Sequence, residues 1–149
     1  MTTMYRLSDS LGYRLTIASR VQQRRLEEKL RPLGLSRLDW VILVALGYED
    51  LRQPSDIADH VGVDRTAISR ALRRMEDAGL IARSGGDGDG RTRTVELTDA
   101  GRTALSDATP LAQANAELIA DRLTDGEQEL LARLLAKLIT DDDSRPSKF

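Results

Sequence analysis

Leu7, Leu11, Leu15, Ala18, Leu26 and Leu30 recur at helical spacing along one unbroken stretch, which predicts a long first helix with Ser8 as its cap and Pro32 as its stop. At 3.6 residues per turn this is about six turns, more than a small core needs. After the Pro32–Leu35 turn, Ser36-Arg37-Leu38-Asp39 has the form of a capping box and opens a second helix carrying Trp40, Val41, Ile42, Val44 and Leu46. That helix is apolar on nearly every side and is expected to be central. Pro54 suits the first turn of a short third helix with Ile57, Ala58 and Val61 as its buried stripe and Gly62 as its end. Asp64 caps a fourth helix whose apolar set is Ile68, Ala71, Leu72 and Met75, closed by Gly79. Two short helices joined through Gly62-Val63 make a helix-turn-helix.

Leu80–Arg83 and Arg93–Leu97 read as short strands, because Val95 and Leu97 alternate with Thr94 and Glu96; the glycine-rich stretch from Ser84 to Arg91 is the loop between them. This hairpin is a wing appended to the helix pair. Thr98-Asp99 starts a fifth helix running toward Leu123, with a bend expected near Pro110, which lacks the N–H a helix needs. Thr124-Asp125-Gly126-Glu127 is a second capping box, and Leu130, Leu131, Leu134, Leu135 and Leu138 form the stripe of a last helix. The expected fold is mainly α with a small β-hairpin: a winged helix-turn-helix core over about 36–101, flanked by N- and C-terminal dimerisation helices over about 7–31 and 102–140. All of 1–149 forms one domain, and 141–149 is a polar tail.

Composition removes whole classes of function. With 149 residues, 40% apolar and 31% charged, the chain can bury a core as one globular domain. The absence of cysteine excludes disulfides, thiolate metal sites and thiol nucleophiles, and His60, the one histidine, has no His partner for a metal. No metal, cofactor or catalytic residue is expected; Glu27-Glu28 and Asp141-Asp142-Asp143 read as solvated carboxylates rather than an acid–base pair. Aromatic residues make up 3%, too few for a platform that stacks single-stranded bases. The apolar run Trp40–Leu46 is too short to cross a bilayer, and no signal-type stretch opens the chain, so a cytoplasmic protein with no membrane partner is expected.

A net charge of −2 conceals segregation, with +4 over residues 1–39, −3 over 40–60, +1 over 61–97 and −4 over 98–149. Phosphate attraction acts over about a Debye length, so the facing of the arginines matters more than the sum. On a helical wheel Thr66, Ser69, Arg70, Arg73 and Arg74 lie opposite the apolar set of the fourth helix. With Arg65, that segment holds four arginines against the single aspartate, Asp64. Such a face fits the major groove, where arginine pairs with guanine and Ser or Thr reaches bases or phosphates. The wheel alone equally describes a solvated amphipathic helix, and the wing shifts the balance. A glycine-rich hairpin ending in Arg91 and Arg93, beside a helix-turn-helix, can reach sideways into a minor groove. A phosphate-cradling nucleotide loop is disfavoured: the glycines lead into a strand, lack a Lys-Ser/Thr ending and carry aspartates.

From Leu35 to Gly101 the chain resembles the MarR family of bacterial winged helix-turn-helix transcription regulators. The matching stretches are LSRLDWVILVAL, SDIADHVGVDRTAISRALRRMEDAGLIAR and DGRTRTVELTDAG. The Asp-x-Arg of the wing, Asp89 and Arg91, followed by Val95, Leu97, Thr98 and Gly101, is the most specific part of the signature. With the flanking helices the resemblance extends to about Thr140. It implies a homodimer through intertwined first and last helices, with Thr66, Ser69, Arg70 and Arg73 in the major groove, Arg91 in the minor groove and Asp89 supporting it. Repression is implied by family habit. Many relatives release DNA when a small aromatic or phenolic anion binds between the dimer helices and the DNA-binding lobe; Tyr13, Arg14 and Trp40 are the residues of this chain to consider there, although Trp40 reads first as core.

The leucine stripes near both termini independently call for a cover, and a second copy is the simplest one; the alternative is a chain that folds its ends over its own core. Two-fold symmetry then implies double-stranded DNA with a pseudo-palindromic operator, half-sites about one turn apart. The competing functional reading is a winged-helix module that binds protein and no DNA.

Overall fold

A computed structural model describes residues 5–85 and 93–139. The first helix, α1 (Leu11–Leu30), is capped by Ser10 rather than Ser8. The reason is local: Leu7–Asp9 curls into a short 3-10 turn, leaving Ser10 extended with its Oγ accepting from the Tyr13 N–H at 3.1 Å. A second 3-10 turn, Arg31–Leu33, holds Pro32 and ends on Gly34, at φ 70°. Then follow α2 (Arg37–Gly47), α3 (Pro54–Val61) and α4 (Arg65–Asp77). The strands β1 (Ile81–Ser84) and β2 (Thr94–Leu97) pair antiparallel, Ile81 opposite Leu97 and Ser84 opposite Thr94. The last two helices are α5 (Asp99–Ala120) and α6 (Asp125–Leu138). The fifth helix therefore stops three residues short of the expected Leu123, and Pro110 sits inside it without ending it.

The capping boxes at Ser36/Asp39 and Thr124/Glu127 are both formed. Gly62 takes the left-handed conformation at the C-terminus of α3, φ 73°, which a residue with a Cβ adopts only at a cost. The core sits in the winged-helix lobe: Ile42, Leu43 and Ala45 of α2, Ile57 and Ala58 of α3, Ile68, Ala71, Leu72 and Met75 of α4, then Ile81 and Val95 of the hairpin. Leu26 and Leu30 of α1 and Leu105 and Ala108 of α5 close it from the side. The stripe thus divides along α1: Leu26 and Leu30 are buried, whereas Leu7, Leu11 and Leu15 are exposed, as are Leu130, Leu131, Leu134 and Leu138 of α6, a helix with no buried residue at all. The chain does not fold these ends over its own core.

The start of α5 is locked to the hairpin. Thr98 donates from Oγ1 to the Gly79 carbonyl at 2.6 Å, accepts from the Gly101 N–H at 3.1 Å, and donates its own N–H to the Leu80 carbonyl at 3.1 Å. On the far side of β2 the Val95 N–H donates to the Arg52 carbonyl at 2.8 Å, covering part of an edge that would otherwise present free backbone groups.

Candidate nucleic-acid interface

The lobe presents α4 outward. Asp64 accepts from the Ala67 N–H at 2.9 Å and fixes where the helix begins, while Ile68, Ala71, Leu72 and Met75 anchor one side in the core. Four apolar anchors over two turns leave the helix no freedom to roll, so the opposite face is constitutively displayed. On that face Arg65, Thr66, Ser69, Arg70 and Arg73 are all exposed. Among the described residues none of Arg65, Arg70 and Arg73 is in an ion pair, so their charges are available to an external anion.

Arg74 departs from this set. Its Nη2 donates to Asp39 Oδ1 at 2.5 Å, at the N-terminus of α2, while 57% of the side chain remains exposed. The wheel does not reveal this partner, which lies 35 positions away in the chain. Arg93 is exposed immediately before β2, at the base of the wing, with no ion pair among the described residues. Asp89 and Arg91 lie outside the described residues.

Arg83, Ser84 and Thr94 support this surface without having a site role in the sequence reading. Arg83 of β1 is largely buried, with Nε 3.3 Å from Glu76 Oε2, and so ties the root of the wing to the C-terminal end of α4. The signal for it was present: a period of two along β1 puts Arg83 on the same face as the buried Ile81. Ser84 and Thr94, paired across the hairpin, share a hydroxyl hydrogen bond of 2.8 Å where the strands open into the loop. His60 Nε2 contacts the Glu49 carboxylate, a link between the end of α3 and the loop after α2.

Of the residues considered for an effector, Tyr13 and Arg14 lie on exposed turns of α1, Arg14 reaching back to the Ser8 carbonyl at 3.4 Å, while Trp40 packs against the core on α2. None of them lines the cavity between α2, β2 and α5, the one where α1, α2 and α4 meet, or the one between α1, α5 and α6. The most apolar of these, about 640 Å³, lies between α1, α5 and α6, walled by Leu15, Ala18, Val21, Ile119 and Leu135 with Arg25 and Arg122 beside them. No group of three or more potential metal-ligating side chains exists among the described residues, and no described helix is long and apolar enough to cross a membrane.

A helix-turn-helix with a displayed cationic second helix and an adjoining hairpin defines the winged helix-turn-helix class. A family model described as "MarR family" matches residues 33–92. Among curated proteins, the HTH-type transcriptional repressor Rv2887 of Mycobacterium tuberculosis is 32% identical over 131 residues, 88% of this chain and 94% of that protein. The chain belongs to the MarR family of transcription regulators. A probable transcriptional regulator from Pseudomonas aeruginosa superposes with a TM-score of 0.79 at 32% identity, over 90% of this chain and 100% of that one. The mycobacterial protein has been solved with salicylic acid (TM-score 0.66, 32% identity, 89% of this chain and 99% of that one). It has also been solved with DNA (TM-score 0.69, 30% identity, 88% and 98%).

Proposed function

We propose that this protein is a cytoplasmic, homodimeric repressor that binds double-stranded DNA, with α4 in the major groove and the wing beside the minor groove. The observation that carries this reading is the face of α4: three exposed arginines, in no ion pair among the described residues, on a helix whose other side is held in the core. The mycobacterial relative's structure with DNA and its name as a repressor support the reading. The family's role is regulation of transcription and not catalysis, in keeping with a chain that lacks cysteine and has one histidine. Thr66, Ser69, Arg70 and Arg73 meet base edges and phosphates, Arg65 the flanking phosphates, Arg91 and Arg93 the minor-groove side, and Asp89 orients Arg91. Homodimerisation sets two α4 helices on successive major grooves and so selects a pseudo-palindromic operator.

Release by a small aromatic acid is supported by the relative's complex with salicylic acid. The groove between α1, α5 and α6 has suitable chemistry, apolar walls for a ring and the Arg25 and Arg122 guanidiniums for a carboxylate. An acid that binds better when the two recognition helices are off the DNA spacing lowers operator affinity by that difference alone.

The deciding experiment selects bound duplexes from a random pool and then titrates salt. A palindromic consensus and an affinity that falls steeply with salt are expected, because bound phosphates release counterions. Little duplex affinity at any salt would leave the protein-binding alternative in its place. Within that assay Arg70→Ala should cost about 1–3 kcal/mol, with the loss depending on operator sequence; an equal loss on every duplex would make Arg70 a phosphate contact. Arg91→Ala should weaken binding most where the flanks are A/T-rich and the minor groove narrow, and an unchanged affinity there removes the wing from the mechanism.

A further inference from the structure

We propose that Asp39 is a positioning residue for the recognition helix, and that Arg74 serves that joint instead of contacting DNA. The proposal rests on the DNA-binding reading above.

Asp39 is 7% exposed, and a carboxylate in that position is tolerated only if both its oxygens are satisfied. They are used separately. Oδ2 accepts the Ser36 N–H at 2.8 Å and completes the capping box of α2, and Oδ1 accepts from Arg74 Nη2 at 2.5 Å. The carboxylate also lies in the first turn of α2, where the helix dipole favours negative charge. One side chain therefore fixes where α2 starts and where the C-terminal half of α4 lies against it. Arg74 is suited to this by its place on the wheel, about 60° beyond the buried Ala71 and on the flank of α4 rather than at the centre of its polar face.

The location gives the contact its consequence. The cavity beside the pair is lined by Glu27 and Arg31 of α1 and the adjoining turn, by Leu35 and Ser36, and by Asp39 and Arg74. Here the long first helix, the central helix and the recognition helix meet. A link at this joint sets the angle of α4 relative to the helices that carry the two-fold axis, and so the distance between two recognition helices in a dimer. Of the ion pairs among the described residues, it alone joins α4 to α2; the other pair on α4, Glu76–Arg83, joins it to the wing.

Both variants should lose operator affinity, but they should differ in the salt dependence of DNA binding, which separates positioning from a simple stabilising contact. Asp39→Asn keeps an oxygen to accept the Ser36 N–H, so α2 remains capped, but it releases the Arg74 guanidinium onto the DNA-facing surface. Operator affinity should fall about ten-fold, affinity for random duplex should hold or rise, and the slope of log K against log salt should steepen by about 0.9, one added phosphate contact. Arg74→Ala should also lose operator affinity, with no flattening of that slope. Circular dichroism on both variants establishes that they are folded, and Arg74→Lys supplies a milder variant should the alanine form not fold. An Arg74 variant whose slope flattens by about 0.9 beside an Asp39→Asn protein that binds like the parent would overturn the proposal, assigning Arg74 to a phosphate. A parent protein with no salt-dependent duplex affinity would instead remove the DNA-binding reading itself.

Discussion

Gly101→Ala is expected to destabilise the protein by about 3 kcal/mol or more, a large effect for one added methyl. A Cβ at position 101 would lie 2.0 Å from the Leu80 carbonyl oxygen and 3.1 Å from its carbon. That oxygen has no room to yield, because it accepts the Thr98 N–H, and Thr98 is in turn bonded to the Gly79 carbonyl and caps α5. Relief therefore requires separating α5 from the corner between α4 and β1, which loosens the hairpin and the recognition helix together. For a chain of this size the melting temperature should drop by roughly 6–12 °C, and duplex affinity should fall with it. Gly126→Ala is the control, since a Cβ there meets nothing within 4 Å. Equal melting temperatures for the Gly101 variant and the parent would mean that the corner is not closed as described. The case also supplies a physical reason for the Val-x-Leu-Thr-x-x-Gly stretch: threonine caps the helix and the glycine three residues on makes way for the Leu80 backbone at the corner before β1.

The elements legible in the sequence were those fixed by local chemistry. Asp64 with Ile68, Ala71, Leu72 and Met75 specifies both the start and the buried side of α4, because a cap and a period of 3.6 need no information from elsewhere in the chain. The capping boxes at Ser36/Asp39 and Thr124/Glu127 were readable for the same reason. Ser8 and Ser10 are equivalent as residue types, and the choice between them depends on the 3-10 turn at Leu7–Asp9 that a periodicity argument does not resolve. The candidate site divides along the same line. That Arg70 and Arg73 face outward follows from the wheel, whereas the capture of Arg74 by Asp39 depends on how α4 packs across α2. Tyr13, Arg14 and Trp40 were grouped by chemistry alone, and the fold sets Trp40 against the core while the other two ride on the exposed turns of α1.

Leu131→Glu combined with Leu134→Glu is expected to separate the protein into monomers and to weaken operator binding by roughly a hundred- to ten-thousand-fold. The two leucines are 42% and 46% exposed in the single chain, on a helix that buries no residue of its own, so within one chain they contribute little to stability. Their apolar area, with that of Leu7, Leu11 and Leu15 on α1, is larger than an isolated chain gains by showing to water, and burial against a second copy is worth about 25 cal/mol per Å². Carboxylates at positions 131 and 134 would have to be buried unpaired in that interface, a cost far above the lost contact. Sedimentation should then give 16.5 kDa in place of twice that mass. The affinity loss follows because two linked recognition helices bind the second half-site at a high effective concentration, which a monomer forfeits. Leu118, exposed on α5, offers a milder truncation to alanine if the double variant unfolds. A melting temperature of the parent that rises with protein concentration would independently mark a folded state that depends on association. A parent that sediments as a monomer, or a monomeric variant with full operator affinity, would contradict the two-fold arrangement and with it the palindromic operator.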